Sequence, residues 1–458
     1  MAKLKLLWTV LLLMKRPVSN IKKTIDKSLR GTRFYRTKAP IERTTMGAEI
    51  KTNGSTFRGS TSILFIGHDA LLAGAQVLLL SLIKWLSENT GIEIKIILLR
   101  GGVLLGRFKK IAPVLIWKDF IGKYPDEEKR RRILNKFVGK PDLIYGNTVL
   151  SSAIYDELKY LHVPYVTHVH ELEKSIERYV EKTTIEKMRL FTHNFIACSN
   201  PVGLNLKNNH NIDPGKITTI HEFIEEREID FTHPKKDLQK KLGLIKNGLI
   251  VLGCGTIYWR KGVDLFIETA LILKRKGLSN FHFYWIGEQV WDSDPASQMI
   301  CSWDELELKM LHNGLKSHIT FLGVKDNVFD YFLAGDLFYL PSREDPFPLA
   351  CLEAAQCSIP VICFKNAGGM PDFVEDDAGF AVSYEDVNEA AEKIIYLNNN
   401  RGRLRELGAT AREKFLLRHR LDIAAPKILD FCQKVVNLQP AISTIVPNCN
   451  RQKYFEKK

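Results

Sequence analysis

One pattern limits how this chain can fold more than any other, and it occurs twice. Short apolar runs alternate with helix-like stretches from Ser62 to Ile220, and the alternation starts again at Leu249. The first series holds Ile63–Gly67, Ile94–Leu99, Asp142–Tyr145, Tyr165–Val169, Phe195–Cys198 and Lys216–Ile220. The second holds Leu249–Gly253, Phe283–Gly287, Ile319–Leu322, Leu337–Leu340, Val361–Phe364 and Phe380–Val382, followed by helical stretches at Val387–Asn398 and Arg403–Leu417. Runs that are apolar on both faces, rather than alternating, are strands covered on both sides. Helices between them make the strands parallel. The expectation is α/β: two doubly wound, Rossmann-like parallel sheets, at 62–224 and 225–418, with the charged stretch Glu225–Lys236 as hinge. A chain of 458 residues is too long for one ordinary core, which agrees with two. Ligands of such sheets bind beyond the carboxyl ends of the strands, here in the cleft between the two halves.

Charge bears on what the chain meets. Its formal net charge is +14, but residues 1–60 carry 14 Lys and Arg against three acids, a net +11, leaving +3 for the other 398 residues. Basicity confined to a tail is not a nucleic-acid groove, so no nucleic-acid partner is expected. Within that tail Leu6–Met14 is apolar between Lys3, Lys5, Lys15 and Arg16, too short to span a bilayer and without a small-residue cleavage site after it. It reads either as an interfacial helix on an anionic membrane or as a disordered basic arm. Residues 17–61 read as linker and 439–458 as a loose tail. The eight cysteines show no ligand or disulfide spacing, which points to a reducing compartment.

The motifs all lie just after expected strands. Ser342–Ala355 reads S-R-E-D-P-F-P-L-A-C-L-E-A-A. Pro346 and Pro348 suit a loop and a first helical turn, placing Asp345 in the loop and Glu353 inside a helix over Pro348–Gln356. Both acids can then face one cavity, with the unpaired amides of the helix start aimed at the same space; the plainer reading is a charged loop and a solvated Glu. The stretch Gly253–Gly262 puts Arg260 and Lys261 at a helix N-terminus, a position that costs each cation about 0.3–1 kcal/mol unless an anion offsets it. A diphosphate would do so; otherwise these are two exposed basic side chains. Neither a P-loop nor G-x-G-x-x-G is present, which counts against an ATPase and a simple dehydrogenase.

Gly74, in the loop after Ile63–Gly67, would let a phosphate or sugar approach the backbone. His168 and His170 share a face of their strand. A metal would need further ligands, so a histidine bonding a sugar hydroxyl, or a satisfied structural pair, is the reading. Gly368 and Gly369 suggest a tight turn with amides open to an oxygen-rich ligand.

Together these residues resemble the retaining glycosyltransferases of the GT-B fold, family 4, over residues 62–438. Ser342–Ala355 resembles the family's Glu-x7-Glu motif, with Asp345 in place of the first Glu and Glu344 one residue out of register. Many members have Gly-Arg where this chain has Gly255-Thr256, and Arg260 beside Lys261 supplies the guanidinium instead. Gly323–Asp326, Ala334–Ser342 and Asn147-Thr148 ahead of His170-Glu171 add to the likeness. The resemblance implies a nucleotide-sugar donor, UDP- or GDP-linked, and no cofactor or metal. Glu353 would accept the ribose hydroxyls, Arg260 and Lys261 the diphosphate, and backbone near Val324 the base. Asp345 and the backbone of Phe347, Pro348 and Leu349 would hold the transferred sugar, while Gly74 and His170 close over donor and acceptor. It further implies retention by front-face attack, and a last helix, Leu421–Val436 within 419–438, crossing back to the first half.

The acceptor would be a saccharide or a lipid-linked one, met by loops such as Arg100–Arg107 and Gln289–Gln298, with the enzyme cytoplasmic on the inner membrane face. The alternatives are a nucleotide-sugar epimerase or a sugar-phosphate-type synthase of the same fold, and a non-catalytic sugar-nucleotide-binding protein.

Overall fold

The computed structural model describes residues 61–232, 234–245, 248–288 and 303–437. The basic tail with Leu6–Met14, the loop Gln289–Gln298 and the segment 439–458 lie outside the described residues.

Two parallel sheets make up the described chain. The first holds β1 (Ser62–Gly67), β2 (Glu93–Leu98), β3 (Val114–Ile116), β4 (Leu143–Asn147), β5 (Tyr165–Val169), β6 (Asn194–Ala197) and β7 (Ile217–Thr219), in the order β3-β2-β1-β4-β5-β6-β7. The second holds β8 (Leu249–Cys254), β9 (Phe281–Ile286), β10 (Ile319–Gly323), β11 (Leu337–Leu340), β12 (Val361–Phe364) and β13 (Gly379–Val382), in the order β10-β9-β8-β11-β12-β13. Each sheet grows outward in both directions from its first strand, so each has one switch point, between β1 and β4 and between β8 and β11. There the following loops diverge and leave a crevice. Five helices frame the two crevices and tie the halves together: α1 (Gly74–Asn89), α2 (Glu173–Tyr179), α3 (Val263–Arg275), α4 (Leu349–Gln356) and α5 (Leu421–Asn437).

The uninterrupted apolarity of the strands is explained by their cover. Every residue of β1, β4, β5, β9, β11 and β12 is buried. Each large apolar side chain so placed contributes about 1.5–3 kcal/mol, an upper estimate because denatured chains are partly collapsed. β3 is absent from the sequence expectation. It is three half-buried edge residues, too short for an apolar run to stand out from its surroundings.

Two strands of chain join the halves. After β7 an extended stretch reaches Ile224, which pairs with Arg420 where the chain enters α5. Ile224 N–H donates to His419 O at 3.0 Å and Leu421 N–H donates to Ile224 O at 2.9 Å. Helix α5 then lays Ala424, Ala425, Ile428, Cys432 and Val435 into the core of the first sheet, beside residues of α1. A single turn of π-helix, Phe415–His419, precedes it.

Candidate active site

A cavity of about 560 Å3 opens between the two switch points. Most of its lining comes from the loops that follow β1, β4, β5, β8 and β11, with Glu222 after β7 and the end of α2 adding to it. On the first-sheet side it is lined by His68, Gly74, Gln76, Thr148, His170, Glu171 and Glu222. On the second-sheet side it is lined by Cys254, Gly255, Arg260, Lys261, Asp345, Phe347, Pro348 and Leu349. Of the residues expected from the sequence, Gly74, His170, Arg260, Lys261, Asp345, Phe347, Pro348 and Leu349 thus come together; Glu353 and Val324 do not line it.

The second-sheet wall is built on charge. Arg260 and Lys261 sit in a 3-10 turn, Trp259–Lys261, directly before α3. Gly262 joins the two with φ +66°, and a Cβ there would lie 1.9 Å from Pro341 O, so only glycine lets the loop press against the end of β11. Lys261 Nζ donates to Asp345 Oδ2 at 2.6 Å, and Arg260 Nη1 lies 3.3 Å from Asp345 Oδ1. Ser342 Oγ–H donates to the same carboxylate at 3.2 Å. Burial alone would raise the Asp345 carboxyl; Lys261 and Arg260 outweigh it and hold it below its ordinary value. Burial likewise opposes the Arg260 charge, but Asp345, Tyr258 and Glu344 hold the guanidinium more firmly protonated. Arg260 is aimed by its neighbours: Nε donates to Tyr258 Oη and Nη1 to Glu344 O, both at 2.6 Å.

Asp345 departs here from the role expected of it. Rather than standing free to grip a sugar, its carboxylate closes an ion-paired triad with the two cations meant for a diphosphate. The triad retains one net positive charge, and the amides that open α4 point at the same space, since the first N–H groups of a helix have no carbonyl before them.

Gly368 and Gly369 also serve differently from expectation. Gly368 has φ +147°, and a Cβ on it would lie 1.7 Å from Asp345 O. Asp345 N–H donates to Ala367 O, and Gly369 N–H donates to Pro346 O at 2.9 Å. The glycine pair is a backbone buttress for the motif loop, not a set of open ligand amides. The Phe347 ring does not face the cavity alone; it stacks on His221 and His419, with centroids 5.2 and 5.3 Å away, anchoring the loop to the crossover chain.

Glu353 lies one turn into α4, behind the lining. Burial pushes its carboxyl up to about 7, partly offset by Arg227. Its charge reaches Cys254 at the end of β8, a thiol that burial first and Glu353 second push up to about 12. Glu353 is therefore on the side of the second sheet where the β8 loop begins. Val324 is 61% exposed and follows Gly323. Gly323 O accepts from Gly287 N–H, and Gly287 packs on Gly255. Val324 and Gly255 thus belong to one strand-end ridge, with Val324 beyond the cavity mouth.

The first-sheet wall is built on hydrogen bonds. His170 Nε2 meets Asn147 Oδ1 at 2.9 Å, and the orientation of that amide is set by Asn147 Nδ2–H donating to Ala75 O. His170 Nδ1 meets Glu222 Oε1 at 2.7 Å. Both nitrogens face acceptors, an arrangement that favours the protonated ring. Burial opposes that charge; Glu222, and then Glu171, outweigh burial and raise its pKa. His170 lines the cavity as expected, but both its nitrogens are already engaged, so the sugar-hydroxyl bond expected of it is taken. Glu222 was not foreseen: a lone acid in a loop after β7 carries no motif.

His168, His170 and Glu222 offer atoms within 4.8 Å of one another that could ligate a metal. His168 Nδ1 is committed to Tyr145 Oη at 2.7 Å and both His170 nitrogens are engaged as above, while His168 Nε2 and Glu222 Oε2 are buried without a hydrogen-bond partner. Glu344, the out-of-register acid one residue before Asp345, takes a role that the sequence did not announce. Its carboxylate accepts from Lys174 N–H, Ser175 N–H and Ser175 Oγ–H at 3.0, 3.1 and 2.7 Å, capping α2 across the cleft. Of the loop Arg100–Arg107, Arg100 N–H donates to His68 O and Leu104 N–H to Ala70 O, so it borders the rim beside His68.

Comparison with known proteins bears on the family and the fold. Residues 72–228 match the family described as Glycosyltransferase Family 4, and residues 234–414 match Glycosyl transferases group 1. The chain belongs to the GT-B glycosyltransferases of family 4. It is similar to the N,N'-diacetylbacillosaminyl-diphospho-undecaprenol alpha-1,3-N-acetylgalactosaminyltransferase of Campylobacter jejuni, 26% identical over 48% of this chain and 50% of that one. It is also similar to the alpha-galactosylglucosyldiacylglycerol synthase of Streptococcus pneumoniae, 29% identical over 32% of this chain and 37% of that one. The matched part spans about a third to a half of these relatives' length. The Anabaena HepE structure in complex with UDP superposes with a TM-score of 0.69 at 18% identity, covering 82% of this chain and all of that one. At that identity the likeness speaks for the fold, which in this family-4 chain is the pair of sheets described above.

Proposed function

We propose that this GT-B protein transfers a sugar, with retention of anomeric configuration, from a nucleotide diphosphate donor to a saccharide or lipid-linked saccharide. One observation carries the reading: Arg260 and Lys261 converge with the Ser342–Ala355 loop on a single cavity between the two switch points. A diphosphate entering that cavity meets two cations and the first amides of α4. It would displace Asp345 from Lys261 and free that carboxylate for the sugar. As the sugar–phosphate bond lengthens, negative charge gathers on the leaving oxygen beside the cations, which is where fixed positive charge stabilises a transition state most. The ribose hydroxyls would reach Glu353 outside the cavity lining, past the β8 loop, and the ridge at Gly323-Val324 would border the base. Because Arg260 and Lys261 supply the charge, transfer is expected to survive treatment with a chelator.

The Campylobacter and Streptococcus relatives have names that place their acceptors on undecaprenyl diphosphate and diacylglycerol, which favours a lipid-linked acceptor here. The +11 tail of residues 1–60 suits an anionic membrane surface, on the cytoplasmic face where nucleotide sugars are made available. Among the described residues no helix is long and apolar enough to cross a membrane.

The test has two parts. A thermal-shift panel of UDP-, GDP-, ADP- and dTDP-sugars should single out one base. With that donor, Glu353→Gln should lower sugar transfer sharply while the fold persists; an unchanged rate would refute the assignment.

A further inference from the structure

Thr148 stands in a backbone conformation that a threonine rarely adopts. Its φ is +80° and its ψ 159°. Among the described non-glycine residues with positive φ it alone is β-branched. That region is essentially reserved for glycine, and a residue persists there only where its surroundings over-determine it. The surroundings do so. Thr148 N–H donates to His168 O at 2.8 Å and Thr148 O accepts from Ser151 Oγ–H at 2.7 Å. The next amide, Val149 N–H, lies 3.2 Å from both oxygens of the Glu171 carboxylate. The turn directs the side chain to the cavity wall, beside His68 and Gln76.

A hydrogen-bond relay then decides where the Thr148 hydroxyl proton goes. Gln76 Nε2–H donates to Asp69 Oδ1 at 2.7 Å, which orients the amide, since its carbonyl oxygen would be repelled there. The same Nε2 lies 2.8 Å from His68 Nε2 and uses its second proton there. His68 Nε2 is therefore the acceptor, and Nδ1 carries the ring proton. Asp69 Oδ2 is 3.6 Å from Nε2, too far to reverse this. Burial also keeps His68 neutral, lowering its pKa despite Asp69. His68 Nδ1–H faces Thr148 Oγ1 at 3.1 Å and donates to it. The Thr148 hydroxyl thus receives one bond from the protein and keeps its own proton for the cavity.

The chemistry of the wall selects the acceptor of that proton. Glu171 and Glu222 line the same side and disfavour a phosphate, while the cations lie on the opposite loops. We propose that Thr148 is a substrate-binding residue that donates its hydroxyl proton to a hydroxyl oxygen of a bound sugar, with His68 and Gln76 as positioning residues that keep the proton free. This rests on reading the cavity as a nucleotide-sugar site.

The test uses the full chain with the donor found by the thermal-shift panel. Thr148→Val removes the hydroxyl at nearly constant shape and is expected to lower kcat/KM about tenfold or more. Thr148→Ser should recover most of that loss. The affinity for UDP alone, or for the bare nucleotide of the preferred base, should stay unchanged in both, because the diphosphate sits on the other wall.

A second readout does not depend on turnover. Imidazole 15N NMR, with His68 identified by the signals missing in His68→Gln, should show the proton on Nδ1. In Gln76→Leu the donor to Nε2 is gone and Asp69, whose Oδ2 is 3.6 Å away, becomes the nearest partner of Nε2, so the proton should shift toward Nε2 and the rate should fall as in Thr148→Val. A wild-type His68 protonated on Nε2, or a Thr148→Val enzyme as fast as wild type, overturns the inference while leaving the transferase reading in place. A wild-type protein that binds no nucleotide sugar overturns both.

Discussion

The two walls of the cavity share a topology and differ in chemistry. Both are made from loops that leave the two strands at a switch point, β1 and β4 on one side and β8 and β11 on the other. On the second-sheet side those loops bring Arg260, Lys261 and Asp345 into an ion-paired triad. On the first-sheet side the loops after β1 and β4 carry His68 and Thr148, and the neighbouring loop after β5 adds His170 and Glu171, in a hydrogen-bonded network without free cations among the described residues. The fold supplies position and the loops supply chemistry. A charged wall suits a diphosphate, which needs neutralising but little orientation. A network of directed donors suits sugar hydroxyls, which need orientation but little charge.

Four perturbations would break or sharpen that contrast. The largest effect falls on the first-sheet wall. His170→Leu leaves Glu222 buried without its partner and should cost about 3–5 kcal/mol of stability in urea unfolding. The same pair predicts a pH trend. His170 is raised in the folded state, so its contribution is complete below its ordinary value of 6.5 and is lost as pH rises through the higher folded value. The wild-type urea midpoint should carry that component and the variant should lack it. A variant as stable as wild type, with an unchanged profile, would mean the pair contributes nothing.

Next in size is the charged wall. Lys261→Ala should lower kcat by about 10²–10³, or roughly 3–4 kcal/mol of transition-state stabilisation, measured as sugar transfer at saturating acceptor. A loss confined to KM would instead show that the cation only gathers the donor. Smaller again is the bridge between the walls. Glu344→Ala removes the carboxylate that caps α2 from the opposite half. It should cost about 1.5–3 kcal/mol of stability and lower donor affinity only through the loop it anchors, since the residue-344 backbone carbonyl that accepts from Arg260 remains but is no longer held across to α2.

The smallest concerns the pH dependence that Glu353 gives to donor binding. Its carboxyl is pushed up to about 7, so donor affinity should rise as pH increases through 7 and the ionised acceptor forms. Calorimetric titration should lose that dependence in Glu353→Gln. The sign for stability is opposite: the component is complete below the ordinary value of 4.5 and is lost as pH rises through about 7.

Most of the fold was legible in the sequence because its signal is local. Apolar runs such as Leu337–Leu340 and Val361–Phe364 match their strands residue for residue, since full burial on both faces leaves no room for polar positions. The placement of Arg260 and Lys261 before a helix was legible for the same reason: Gly262 and the run after it mark the start. The site was legible only in part. His170 and Asp345 do line the cavity, but their partners are not announced by the motifs, because each is paired with a residue far along the chain. Glu222 is 52 residues from His170, and Arg260 and Lys261 stand about 84 from Asp345. Glu344 is out of register with the motif, yet three donors from α2 converge on it. Thr148 had a weak mark, lying just after the apolar run that became β4, but no pattern announces a positive φ.

By itself the sequence determined the two doubly wound sheets, the family they belong to, and which loops face the cleft. Periodicity, glycine and proline are read over a few neighbouring residues. The tertiary structure alone decided which charges meet, which histidine is charged, and where a hydroxyl proton is free. Coulomb attraction and hydrogen bonding depend on separation in space and on the loss of water around the groups, and neither is written into spacing along the chain.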